Sequence, residues 1–159
     1  MKSSNILVIL TIFSMCCFLC LAHNARQDYL DVHNKARAEV GVGPLSWNET
    51  LAAYASNYAK SKSETCEMVH SQGPYGENLA EGSDPQMNAT AAVKLWVDEK
   101  AFYDYSTNAC VKDECRHYTQ VVWSNTKQLG CARENCKNGW TFFICSYYPP
   151  GDYVGDKPY

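Results

Sequence analysis

Cysteine is the residue type with the most chemistry to offer in this sequence: nine occur in 159 residues, against four histidines. Three of them, Cys16, Cys17 and Cys20, fall within an apolar run from Ile6 to Leu21 that follows a lone Lys2 and ends on the small Ala22. A charged start, an apolar centre and a small final residue describe a secretory signal peptide over residues 1–22, cleaved after Ala22; the run is too short and too poorly flanked for a membrane anchor. Cleavage leaves Cys66, Cys110, Cys115, Cys131, Cys136 and Cys145. An even count in an exported chain reads as three disulfides. Spacing does not choose among the fifteen pairings six cysteines permit, although Cys110 and Cys115 are close enough to close a small loop on themselves. Zinc–thiolate chemistry is the competing reading, disfavoured because export oxidises thiols and no repeated paired-cysteine spacing appears.

The other reactive residue types nominate no covalent catalyst. A nucleophile has to be hydrogen-bonded to its base, and Ser71 beside His70 is adjacency in sequence rather than a dyad. His33, among apolar neighbours on a helical stretch, reads as an ordinary helix-surface or core-edge histidine, not a metal ligand. Losing Lys2 takes the net charge from −3 to −4, which argues against nucleic acid as a partner. Asn48-Glu49-Thr50 and Asn88-Ala89-Thr90 are glycosylation acceptors, and Asn48 is also placed to cap a helix.

These residues need a frame. Tyr29, Leu30, Val32, Ala36 and Val40 recur near helical spacing from Asp28 to Val40, and Gly41 supplies the stop. Beyond Gly43-Pro44, Ser46-Trp47-Asn48-Glu49 reads as a capping box for a second helix carrying Leu51, Ala52, Tyr54, Ala55, Tyr58 and Ala59 on one face. A third helix runs from about Thr90 to Ala101, with Trp96 in the core, and a shorter fourth includes Tyr118 to Trp123. Strands are expected at Glu77–Ala80, Leu129–Arg133 and Trp140–Tyr148, the last two joined by a turn over Asn135–Gly139. Cys131 and Cys145 fall on those two strands, where a cross-strand bridge fits. Helices alternating with a few antiparallel strands give an α+β class, and residues 23–159 suit one domain. From Pro149 to Tyr159 three prolines and two glycines without periodicity give an extended tail that depends on contacts.

The stretch Arg116-His117-Tyr118-Thr119-Gln120-Val121-Val122-Trp123-Ser124-Asn125-Thr126 resembles the first signature of the CAP superfamily, which holds the cysteine-rich secretory, antigen 5 and pathogenesis-related class one proteins. Phe142 to Tyr153 resembles the second signature, with Asp152 where the pattern has Asn. His70, Gly76-Glu77-Asn78-Leu79-Ala80 and Trp96-Val97-Asp98-Glu99 fall where the family has its remaining motifs. Gln27-Asp28-Tyr29-Leu30, the six cysteines and the ending Lys157-Pro158-Tyr159 look like the plant pathogenesis-related group. The resemblance covers residues 26 to 159.

It implies a three-layer α-β-α sandwich with a small antiparallel sheet and disulfides Cys66–Cys136, Cys110–Cys115 and Cys131–Cys145. It groups His70, Glu77, Glu99 and His117 in one cleft: a polar network or a weak divalent-metal site, zinc being the natural ion, with no cofactor required. It implies sterol binding through a loop carrying Phe102, Tyr103 and Tyr105, so the expected partners are sterols or membrane lipids of fungal or oomycete pathogens. It also makes Pro149 to Tyr159 a releasable signalling peptide with a receptor of its own, though Ser146 and Asp152 both stand where the family has Asn. The chain is thus expected to be a secreted, monomeric defence protein of the cell-wall space and not an enzyme, a metal-dependent hydrolase being the weakest alternative.

Overall fold

Alternation along one strand sets the architecture of this computed structural model, which describes residues 26–84 and 86–159; the signal-peptide expectation for residues 1–22 lies outside the described residues. In the strand Thr141–Tyr148, Phe143, Cys145 and Tyr147 enter one hydrophobic cluster while Phe142 and Ile144 enter a second on the opposite face. A strand buried on both faces needs a helical layer on each side. Each fully buried aromatic or branched side chain there contributes roughly 1.5–3 kcal/mol.

In chain order the elements are a helix α1 over residues 26–39, β1 (Ser46–Trp47), α2 (Glu49–Ser61), β2 (Gly76–Gly82), α3 (Ala89–Asp98), a 3-10 turn (Glu99–Phe102), a ribbon of β3 (Tyr103–Asp104) and β4 (Ala109–Cys110), α4 (Arg116–Val121), β5 (Gln128–Asn135) and β6 (Thr141–Tyr148). The main sheet has the order β1-β5-β6-β2. One layer, from α1, α3 and α4, packs Tyr29, Ala36, Val93, Trp96, Tyr118 and Val121 on the sheet; α2 covers the other face with Ala55 and Ala59. The result is the three-layer α-β-α sandwich. Helix α2 lies so close to β5 that a Cβ on Gly130 would stand 2.2 Å from the Ala52 nitrogen, which confines that position to glycine.

Some expectations are corrected. Ser46 does not open a capping box: with Trp47 it forms β1, which pairs parallel to β5 through Ser46–Gln128 and Trp47–Leu129, so the sheet is not purely antiparallel. Asn48 is the cap instead, its Oδ1 accepting from the Thr50 and Leu51 amides at 2.8 and 3.1 Å. The third helix tightens into the 3-10 turn at Glu99, and the fourth ends at Val121. His33 is neither on the surface nor at the core edge but fully buried.

Two devices fix α4. The guanidinium of Arg37, fully buried, donates to the carbonyls of Gly43, Val121, Trp123 and Thr126 at 2.7–3.0 Å, so the carbonyl end of α4 and the loop beyond it are held from α1. Disulfides join Cys66 to Cys136, Cys110 to Cys115 and Cys131 to Cys145. The second ties β4 to the residue preceding α4, and each bridge is worth about 2–4 kcal/mol through the unfolded chain.

Candidate functional site

His117 sits in the first turn of α4, and its surroundings dictate its tautomer. Glu99, at the start of the 3-10 turn, places Oε1 at 2.6 Å from His117 Nδ1, and its Oε2 accepts from the main-chain N–H groups of His117 and Tyr118 at 3.1 and 3.3 Å. The carboxylate thereby caps a helix whose N-cap residue, Cys115, offers no side-chain cap. A carboxylate only accepts, so Nδ1 carries the proton and Nε2 keeps its lone pair in the neutral ring. The ring also stacks on Trp96, centroids 6.5 Å apart at 21°.

A buried chain of hydrogen bonds supports this residue from behind. Asn78 Nδ2 donates to the His117 carbonyl at 2.9 Å and to the Tyr147 hydroxyl at 3.2 Å. That hydroxyl lies 2.9 Å from His33 Nε2, and His33 Nδ1 lies 2.8 Å from the Tyr29 carbonyl. Since the carbonyl accepts, His33 Nδ1 donates and Tyr147 donates to Nε2. Burial lowers the His33 pKa to about 4, so the ring is neutral and the network complete.

His70 stands on the loop before β2 and is half exposed; its Nδ1 is 2.7 Å from Oε1 of Glu77, which also accepts from the Ser71 N–H at 2.9 Å. Among the described residues, Glu77 Oε2 is buried without a partner. His70, Glu77 and His117 line a groove of about 650 Å³ together with Asn78, Glu114, Arg116, Gln120 and Asp152. Glu99 does not line it. The four-residue cleft therefore resolves into two imidazole–carboxylate pairs, with Glu99 behind His117.

Sequence reasoning missed Glu114, Arg116 and Asp152 as groove residues. The Arg116 guanidinium and nearby amides hold the Glu114 carboxyl down to about 2. Asp152 has a φ of 63°, a left-handed conformation that Asn and Asp tolerate better than most residues, and its Oδ1 accepts from the Thr119 hydroxyl at 2.6 Å. Burial raises its carboxyl above the ordinary Asp range. The signal for Asp152 was present as a departure from the motif; that it reaches the groove needed the fold.

Among the described residues no group of three or more His, Cys, Asp or Glu side chains gathers as a metal site. The donor set does fit a lesser demand: with each Nδ1 held by a carboxylate, two imidazole Nε2 atoms remain as ligands, one fewer than the three protein groups of a typical catalytic zinc site. Ser71 makes no dyad, its hydroxyl accepting from Tyr54 at 2.9 Å.

The expected sterol-loop residues are not a free apolar face. Phe102 closes the 3-10 turn and Tyr103 opens β3, its hydroxyl donating to Asn108 Oδ1 at 2.8 Å. The Tyr105 hydroxyl donates to the main-chain oxygen of Tyr159 at 2.7 Å, and the two rings stack 4.9 Å apart at 15°. Lys157 Nζ lies 4.1 Å from the Tyr105 ring centre.

The tail is pinned at both ends. Gly151 N–H donates to Gln120 Oε1 at 3.1 Å, and a Cβ on Gly151 would meet the Trp123 ring at 2.4 Å. Ser124 N–H donates to the Pro158 carbonyl at 2.7 Å, and residues 153–157 between these anchors are exposed. At the Tyr148–Pro149 bond the Tyr148 carbonyl accepts from Lys127 N–H at 2.9 Å. Of the two glycosylation candidates, Asn48 spends Nδ2 on Gln128 Oε1 at 2.8 Å, while Asn88 is exposed and caps α3 through Oδ1.

The cysteine-rich secretory protein family model, CAP, matches residues 30–147. The basic form of pathogenesis-related protein 1 of Nicotiana tabacum is 58% identical over 138 residues, 87% of this chain and 77% of that protein. Pathogenesis-related protein 1 of Arabidopsis thaliana is 54% identical over 138 residues, 87% of this chain and 84% of that protein. Among solved structures, Schistosoma mansoni venom allergen-like protein 4 aligns with a TM-score of 0.67 at 30% identity, covering 85% of this chain and 92% of that one. The crystal structure of NaASP2 with Zn2+ aligns with a TM-score of 0.69 at 26% identity over 85% of this chain and 84% of that one. With a family model over most of its length, more than half of the aligned residues identical in plant relatives and the fold common to the structures, the chain belongs to the CAP family and, within it, to the plant pathogenesis-related protein 1 group.

Proposed function

We propose that the chain is a secreted plant defence protein that acts on fungi and oomycetes by binding and sequestering membrane sterols. The observation that carries this is the Tyr103–Tyr105 ring pair, 6.4 Å apart with Tyr105 exposed. Once the tail groups Tyr159 and Lys157 that cover Tyr105 are displaced, rings of this kind offer a broad contact to a flat apolar molecule, with the Tyr105 hydroxyl as a polar handle. The three disulfides suit a monomer living in the oxidising cell-wall space, the chain's net charge of −3 does not suit nucleic acid, and sequestration includes no bond-breaking step. Binding of radiolabelled ergosterol to the purified protein tests the reading. Saturable binding lost in Tyr105→Ser supports it, and binding unchanged in that variant removes the aromatic loop from it.

A second reading, a precursor that releases Pro149 to Tyr159 to a receptor, is favoured by the exposed segment 153–157 between two anchors. Its test is mass spectrometry of fluid from infected tissue, where absence of the peptide counts against release. A weak zinc site on the Nε2 atoms of His70 and His117 is supported by the two carboxylate-held rings and by the zinc-bearing relative. A zinc-dependent rise in melting temperature that disappears in His117→Ala is the expected result.

A further inference from the structure

Tyr159 occupies the Tyr105 face as a flat ligand would. It is nearly parallel at 15°, with centroids 4.9 Å apart, and its main-chain oxygen, beside the ring, accepts from the Tyr105 hydroxyl at 2.7 Å. Lys157 of the tail also lies over the Tyr105 ring, its ammonium 4.1 Å from the ring centre. Asn108, whose Oδ1 takes the Tyr103 hydroxyl, turns its Nδ2 to the Asp156 carbonyl at 3.1 Å. Ring face, hydroxyl and neighbouring amide thus each have a tail group as partner. The two parts of the molecule that the sequence treats as separate functions are one contact.

From this we propose that the Tyr105 face is a binding seat for a planar ring accompanied by a hydrogen-bond acceptor, and that Tyr159 is its built-in occupant. A ligand takes the seat only when the last residues of the tail lift away. The inference rests on the sterol reading for the identity of the ligand. The tail then acts as a competitor held at high local concentration, and its removal creates the ligand-competent surface. The anchor of Gly151 on Gln120 and Trp123 lies outside the seat and can stay in place, whereas the Pro158 carbonyl on Ser124 N–H is the contact next to Tyr159 that limits how far the last residues lift.

The test uses the full disulfide-bonded chain with Tyr159→Ala, alongside wild type and the Tyr105→Ala/Tyr159→Ala pair, each checked for native melting temperature and near-ultraviolet dichroism. Nitration of Tyr105 by tetranitromethane, followed by mass spectrometry, reads uncovering without any ligand; titration with radiolabelled ergosterol reads the seat. Losing one stacked aromatic contact corresponds to up to about a tenfold gain in ergosterol affinity for Tyr159→Ala, with faster nitration and with binding abolished in the double variant. Unchanged nitration overturns the cover. Faster nitration with ergosterol affinity unchanged from a measurable wild-type value overturns the shared seat. Faster nitration with no ergosterol bound by any variant overturns the sterol reading beneath it.

Discussion

The two imidazole–carboxylate pairs have the same chemistry and unlike foundations. Glu99 spends both oxygens, one on the His117 ring and one on two main-chain amides at the start of α4. Glu77 spends one, on His70 and the Ser71 amide, and leaves the other buried without a partner among the described residues. His117 is backed by a stacked Trp96 and by the Asn78–Tyr147–His33 chain; His70 is half exposed on a loop. A carboxylate that caps a helix holds the fold as well as the ring, whereas one with an idle buried oxygen carries a desolvation cost. The difference teaches that the His117 wall of the groove is the fixed one and the His70 wall the adjustable one.

Acid should break the comparison most strongly, through His33. Its pKa is lowered by burial from 6.5 to about 4. Above 6.5 the ring is neutral folded and unfolded, and its support is intact. As pH falls from 6.5 towards 4 the unfolded chain takes a proton that the fold refuses, so stability is lost across that window, roughly 3 kcal/mol in all. Urea unfolding at pH 7 and at pH 4.5 reads the slope. His33→Gln should be less stable at pH 7 yet flatter across the window, and an equal slope in both proteins removes His33 as the cause.

Truncating each carboxylate sharpens the same contrast. Glu99→Ala deletes three accepted hydrogen bonds and should cost about 2 kcal/mol, against about 1 kcal/mol or less for Glu77→Ala, which also removes a poorly solvated oxygen. Thermal unfolding of the two variants side by side decides it. Equal losses would mean that the helix-end contacts add nothing.

The smallest effect is expected at Asp152, where groove and tail meet. Its raised pKa means that the ionised carboxylate is disfavoured in the fold: the cost is absent below the ordinary Asp range and present once pH exceeds the raised value. Asparagine tolerates the left-handed backbone and keeps an acceptor for Thr119 without the charge. Asp152→Asn should therefore slow hydrogen exchange over residues 153–157 modestly at neutral pH and leave it unchanged in acid. Faster exchange at neutral pH would show that the charge itself holds the tail.

Much of this was legible beforehand for identifiable reasons. Apolar spacing placed the four helices because a helix buries one stripe, and the β-formers of residues 142–148 placed the central strand. The capping box failed because Ser46 and Trp47 are recruited by β5, a partner some eighty residues away that no local pattern announces. His33 misled because its neighbours describe a helix face without saying whether a layer will cover it.

The sequence by itself determined the kinds of group available: six cysteines beyond the N-terminal apolar run, two family-marked imidazoles with two carboxylates, three rings in one loop, and a tail without periodicity of its own. Only the tertiary structure decided who meets whom. It chose three cysteine pairs where composition left fifteen, put Glu99 behind His117 rather than in the groove, and laid Tyr159 on Tyr105 from 54 residues away. Local propensity fixes what each segment becomes, while long-range contacts depend on how the two buried faces of one sheet are covered, a property of the whole chain.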